Sequence, residues 1–304
     1  YSRALGHLNP LARGLNSLGL VMMHLGDHKA ADACFGESLA VNRQVGNQAG
    51  AATALYNLAM QAEHAGDFPR AVLLYQEALA LQTALGSRSV VADIRVNLGT
   101  IAAAQGDFAA ATAHYTAAEE MYNHLRTPGD NGYVYAGLAE VAFYTGHYDE
   151  AQRRYTAALD LFRQAGNRRL IGRCLGWLGR IACRQGDLPA AAALGAEALS
   201  LRRSIGHTLG LLFSLDIGGA ELALAAGQPA VAARLLGAVE RARTEYERPR
   251  PPVEAQEAER LIARLHEGLR PADLTLAWSE GQEMTLNEAA AYARWLAEQT
   301  GHRY

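Results

Sequence analysis

Apolar residues recur along this chain at spacings of three and four on either side of regularly placed glycines. That period belongs to amphipathic helices, and no stretch alternates with the period of two that a half-buried strand requires. Gly26-Asp27, Gly66-Asp67, Gly106-Asp107 and Gly186-Asp187 stand at multiples of forty residues; Gly146-His147 fills the missing slot and Gly227-Gln228 arrives one residue late. Seven residues before each of these glycines the side chain is small (Gly19, Ala59, Gly99, Ala139, Gly179, Ala220). Five residues after it there is always alanine (Ala31, Ala71, Ala111, Ala151, Ala191, Ala232). Nine residues after it stand Phe35, Tyr75, Tyr115 and Tyr155, then Gly195 and Leu236.

Each unit therefore reads as helix A, a tight turn, and helix B. The glycine closes helix A because a left-handed backbone costs it little. The aspartate that follows suits the N-cap of helix B. Pro69, Pro189 and Pro229 fall in the first turn of a helix B, where a missing N–H is harmless. A second glycine series, Gly46, Gly86, Gly166 and Gly206, closes helix B, with Asn47, Ser87 and Asn167 as caps of the next helix A. Its missing member falls at Arg126, where Thr127–Gly132 is the most loop-like stretch of the array; this predicts a longer connection, shortened flanking helices and a hinge. The small positions predict close approach of helices A and B, with the Phe or Tyr filling the gap between neighbours.

These offsets resemble the tetratricopeptide repeat in a form of about forty residues. Asn57-Leu58-Ala59 through Gly66-Asp67 to Ala71, Tyr75, Ala78 and Leu79 carries the resemblance best. Six units span 8–246, the sixth departing from the pattern where Gly219 replaces the leucine of the others, and 247–304 forms a C-terminal helical cap region. The resemblance implies an all-α, right-handed superhelical solenoid of about six helix-turn-helix repeats, whose helices A line a concave groove and whose last hairpin is covered by three terminal helices. Those are expected over about Val253–Leu269, from Pro271, and from a capping box at Thr285–Glu288 to about Gln299.

From Ala232 onward, Ala233-Arg234-Leu235-Leu236-Gly237-Ala238, the proline-rich Glu247–Pro252, Ala277-Trp278-Ser279-Glu280-Gly281 and the Thr285–Glu288 cap with Ala289 and Ala290 follow in order. This resembles the C-terminal region of bacterial signal-transducing ATPases and LuxR-type transcriptional regulators. The resemblance implies that the chain is the sensing arm of a larger regulator, with nucleotide-binding and DNA-binding modules belonging to the parent.

Composition narrows the chemistry. A formal charge of −3 offers no general attraction to nucleic acid or to an anionic membrane, so neither is expected as a direct partner. Three cysteines without zinc-like spacing fit a reducing, cytoplasmic setting. No apolar run approaches eighteen residues. Lys29, the sole lysine, follows no phosphate-binding loop, and no hydrolase, zincin or dinucleotide motif is present, so a non-catalytic module without cofactor or metal is expected. The opening on Tyr1 reads as a fragment of a longer protein, and the skew to arginine, alanine and glycine as a GC-rich bacterial gene.

Two constellations stand out. Arg173, Trp177, Arg180 and Arg184 share one face of helix A in the fifth unit, with Arg168 and Arg169 at its start. Arginine beside an aromatic suits a carboxylate, a phosphate or a peptide terminus. The alternative is that Trp177 packs between units while the arginines are solvated or pair with Glu140 and Glu221. Along the same groove, Tyr56, His64, Tyr133, Glu140 and Tyr144, with His24, Met23 and Met60, line the inward positions. His24, His64 and Glu63 lack a third close ligand for a metal. The groove is expected to receive a protein, a peptide or a small inducer; the alternative is a scaffold or self-association module.

Overall fold

A computed structural model describes residues 2–125, 130–246 and 248–301, and every regular element among them is helical. The chain forms two compact units, Tyr1–Ala102 with Ala109–Arg126, and Ala103–Phe108 with Thr127–Tyr304.

The first unit is built from α1 (Ser2–His24), α2 (His28–Gln44), α3 (Gln48–His64), α4 (Phe68–Ala84), most of α5 (Arg88–Gln105) and α6 (Phe108–Leu125). The expected turn glycines all adopt positive φ, in both series. Gly26, at φ +82°, donates to the Met23 carbonyl while the Asp27 N–H reaches back to that of Met22, the paired bonds of a Schellman turn. The Asp27 carboxylate then accepts from the Ala30 N–H at 3.0 Å and opens α2. Asp67, Asp187, Asn47 and Asn167 cap their helices in the same way, each bond contributing about 1 kcal/mol. His147 and Gln228, the departures from aspartate, make no side-chain cap bond.

The small helix-A position faces the aromatic of helix B in its own hairpin. A Cβ added at Gly19 would lie 2.5 Å from the Phe35 ring, and one at Gly99 2.9 Å from that of Tyr115. Phe35, Tyr75, Tyr115 and Tyr155 are all buried. The aromatic thus locks a hairpin from within as well as meeting the next unit, as Tyr155 does by stacking on Trp177.

The second unit holds α7 (Asn131–Tyr144), α8 (Tyr148–Gln164), α9 (Arg168–Gln185) and α10 (Leu188–Ser204). Only α7 is shortened beside the long connection; α6 keeps eighteen residues. Asn131 and Gly132 already belong to α7, and 127–129 of the expected hinge lie outside the described residues. The sixth helix A is interrupted: α11 (Thr208–Phe213) runs through a π-helical segment, Ser214–Gly219, into α12 (Ala220–Ala225). Gly206 is in register with the forty-residue period and Gly227 is one residue late, so the extra residue lies between them. A π turn accommodates one inserted residue without ending the helix.

After α13 (Pro229–Glu245) come α14 (Pro252–Gly268), α15 (Pro271–Glu283) and α16 (Leu286–Gly301). Their Leu261, Leu265, Leu274, Ala277, Ala289 and Leu296 join one apolar cluster with Leu235, Leu236 and Val239 of α13, so the three terminal helices cover the last hairpin as expected. The Thr285–Glu288 capping box is formed, the Thr285 N–H donating to the Glu288 carboxylate at 2.8 Å and the Glu288 N–H to the threonine hydroxyl at 3.3 Å. No helix among the described residues is long and apolar enough to cross a membrane.

Candidate functional site

The α9 face predicted from spacing exists, and α7, α12 and α14 close on it. Trp177 is buried among Phe143, Tyr144, Tyr155 and Phe213, with ring centroids 5.1–5.7 Å away. The Arg180 guanidinium lies 4.4 Å from the Phe143 ring centroid and 4.6 Å from that of Trp177, sandwiched by two π faces. Its charge is balanced by Glu221 of α12 at 3.5 Å and Glu257 of α14 at 3.6 Å. Arg184, one turn further on, pairs with both carboxylates. Arg173 donates to Glu140 of α7 at 3.0 Å.

Burial decides what each group can do. Arg180 is 2% exposed, and Glu221 and Glu257 are as deeply buried. Burial alone would lower the Arg180 pKa; the carboxylate of Glu221, then Tyr144 and Glu257, overcome this and hold it above its ordinary value. Arg180 and Arg184 balance Glu221 and Glu257 in a quartet tying α9, α12 and α14 together, and exposed Arg260 reaches Glu257 from the surface. In this conformation Trp177 and Arg180 are committed to the interior, while Arg173 and Arg184 remain part-exposed at its edge. Tyr144 is half-buried, and burial pushes its pKa up. Tyr133 packs edge-on against Phe162 but leaves much of its ring in solvent.

Tyr56 and His64 belong to the first unit and are described there. The Tyr56 hydroxyl accepts from Asn97 at 3.1 Å and its ring meets Tyr75 edge-on, while His64 is exposed at the end of α3. Glu63 accepts from the Tyr75 hydroxyl at 2.9 Å, and the His24 Nδ1 lies 2.7 Å from the Leu20 carbonyl oxygen of its own helix. Among the described residues no three His, Cys, Asp or Glu side chains gather as a metal site would require. Burial pushes the Cys174 thiol up to about 11 and the Cys183 thiol up to about 12, so neither is primed as a nucleophile.

The tetratricopeptide repeat model matches residues 10–84, 51–124 and 130–204, more than half of the chain. The chain belongs to the tetratricopeptide repeat family. Among solved structures, a Rap protein complexed with competence and sporulation factor is 13% identical, with a TM-score of 0.61; the match covers 88% of this chain and 82% of that one. The pilF protein of Pseudomonas aeruginosa is 17% identical over 84% of this chain and 99% of its own, at a TM-score of 0.49. No curated protein matches the chain. Tetratricopeptide repeats make the chain a protein-interaction module.

Sequence periodicity located Arg180 and Arg184 and named Glu221 as a neighbour, but it missed Glu257 and Glu254. These lie on α14, outside the repeat, so no offset points to them. It also missed Asp216. This carboxylate is fully buried in the π segment and takes Arg243 at 2.8 Å and Arg250 at 2.9 Å, fastening the proline-rich strap. A cleft of about 640 Å³ lies under that strap, between Arg250, Ile262 and Trp278.

Proposed function

We propose that this chain is the partner-receiving arm of a larger bacterial transcriptional regulator, and that a protein or peptide engages the helix-A face of α7 and α9. The observation that carries the reading is the edge of the aromatic–arginine cluster. Part-exposed Arg173 and Arg184 on α9, with Tyr133 exposed on α7, put cations and an aromatic ring on the helix-A face beside a rigid apolar block. Such edges suit carboxylates and peptide side chains. The Rap protein's complex with a factor is the precedent for this fold, and a small inducer is the variant of the reading with the same site. Partner binding that favours one of two conformations of the array would pass the signal to the parent.

The test is site-specific photo-crosslinking in the producing cell. A crosslinker replacing Tyr133 should capture a discrete partner, and capture should fall at least tenfold with Arg173→Ala plus Arg184→Ala. A crosslinker at Leu73, exposed on α4, should capture none of it. Equal capture at both positions would refute the reading.

A second reading, self-association, is favoured by α1. Leu11, Leu18, Val21 and Leu25 leave an apolar stripe in solvent. A concentration-dependent mass in light scattering that Leu18→Lys abolishes would support it, and a constant monomer would exclude it.

A further inference from the structure

Buried Arg180 and the part-buried Arg243 and Arg250 of the second unit each have carboxylate partners. Arg202, in the last turn of α10, does not. It is 2% exposed, and no described carboxylate lies within ion-pair distance of it. Its Nη1 donates to the Gly210 carbonyl and the Ser214 hydroxyl, and the Phe213 ring centroid lies 5.5 Å from its Cζ. The other edge of the guanidinium, Nε with Nη2, donates to no described residue, and Nε is fully buried. That edge is the two-donor fork that fits the oxygens of a carboxylate or a phosphate.

The electrostatic surroundings of this arginine are unfavourable on balance, with only a smaller opposing contribution from Cys174. Burial, then repulsion from Arg173, hold its pKa down to about 10. His207, at the start of α11, is held below its ordinary value by burial and then by Arg202 and Arg169, and its Nδ1 is buried without a hydrogen-bond partner. Gly210 lies against both His207 and the Arg202 side chain. A Cβ at Gly210 would lie 2.4 Å from the His207 Nδ1 and 2.9 Å from the Arg202 Cδ. Beneath the arginine, Gly172 and Gly176 give it a bed that side chains would fill: added Cβ atoms there would sit 3.2 Å from Cγ and 3.4 Å from Nη2. A buried cation without a counter-charge is strongly destabilising, and structures retain one where something else supplies the negative charge.

We infer that Arg202, with His207, Arg169 and Arg173 around it, is a binding site for an oxyanion, the phosphate or carboxylate group of a ligand. The Nε–Nη2 edge holds two of its oxygens, His207 in its Nδ1–H tautomer can donate to it, and Arg169 on the rim adds charge, while Arg173 is already paired with Glu140. The site lies at the junction of α9, α10 and α11, beside the π segment that Arg202 itself braces through Gly210 and Ser214. Its occupancy would therefore be felt at the irregular helix of the sixth repeat. This goes beyond the partner-binding reading, and either can fail without the other.

The test uses the full chain labelled with ¹⁵N and follows the Arg202 Nε–H resonance, assigned by its loss in Arg202→Lys. Sodium phosphate and sodium acetate are titrated separately against sodium chloride at matched ionic strength. The expected result is a saturating shift with at least one of the two. Phosphate at least tenfold tighter than acetate identifies a phosphorylated ligand; acetate as tight or tighter identifies a carboxylate, as on an acidic peptide. In a thermal-shift titration, Arg202→Lys, which keeps the charge but loses the fork, should weaken the preferred anion at least tenfold. Arg169→Gln, on the exposed rim, should weaken it about threefold and serves if the first variant does not fold. Arg43→Ala, in the first unit, should change nothing. No shift beyond the chloride control, or unchanged affinity in the Arg202 and Arg169 variants, overturns the inference.

Discussion

Glu254, on the first turn of α14, sits beside Arg243 at 3.2 Å, yet its carboxyl is pushed up to about 7. Burial is the larger cause, and the pull of Arg243 is opposed by Asp216 and Glu140. Because the folded value stands above the unfolded value of about 4.3, the folded state holds the proton more tightly. The contribution to stability is full below that unfolded value and is lost as pH rises through about 7. Glu254→Gln should therefore leave urea stability nearly unchanged near pH 4 and raise it at pH 8 by on the order of 1–3 kcal/mol relative to the parent. An equal effect at both pH values would refute the assignment. The quartet around Arg180 behaves differently because its charges balance. Arg180→Met strips one cation from two buried glutamates and should cost about 3–5 kcal/mol in urea denaturation. Adding Glu221→Gln alone should return most of that loss, since it leaves Arg184 balanced by Glu257 and the penalty comes from uncompensated charge rather than lost packing.

Among the helices, the closest approach that glycine permits is between α13 and α15. A Cβ at Gly237 would lie 2.4 Å from the Trp278 carbonyl oxygen, and one at Gly281 2.1 Å from that of Arg234. Backbone cannot give way as a flexible side chain can, so Gly281→Ala should lose about 2–4 kcal/mol in thermal or urea unfolding. Gly36→Ala in α2, where an added Cβ meets nothing within 4 Å, should be neutral or gain up to about 1 kcal/mol from helix propensity. Both glycines of the crossing were visible in the sequence as parts of short motifs, but their reason was not, because each is explained by a segment some forty residues away. The same holds for the π segment. The late Gly227 announced one extra residue, and only the structure places it at Ser214–Gly219. What the repeat period made legible was everything it repeats, namely the caps, turns and small-to-aromatic contacts. The α14 carboxylates and the isolation of Arg202 were not legible, because they arise where helices outside the period meet those within it.

Repetition also lets the molecule serve as its own control. Leu18, Leu58, Leu98, Leu138 and Leu178 occupy one repeat position. From the second repeat onward each is at most 8% exposed, whereas Leu18 on α1 is 44% exposed. Val21 and Ile101, equivalent three residues on, differ in the same sense, at 53% and 1%. In a solenoid each repeat is stabilised by its own packing and by its immediate neighbours, so the cost of a substitution follows local burial. Leu58→Ala and Leu178→Ala should each cost about 2–4 kcal/mol, and together close to the sum, since they lie in different compact units. Leu18→Ala should cost under about 1 kcal/mol in a dilute monomer, where water covers the stripe on both sides of the unfolding equilibrium. If a second copy covers that stripe, the cost at position 18 becomes concentration-dependent and rises toward that at position 58, because binding to the folded state alone adds to stability by mass action. Urea denaturation of the three variants across a hundredfold range of protein concentration separates these outcomes, and with them the self-associating scaffold from the partner-receiving monomer.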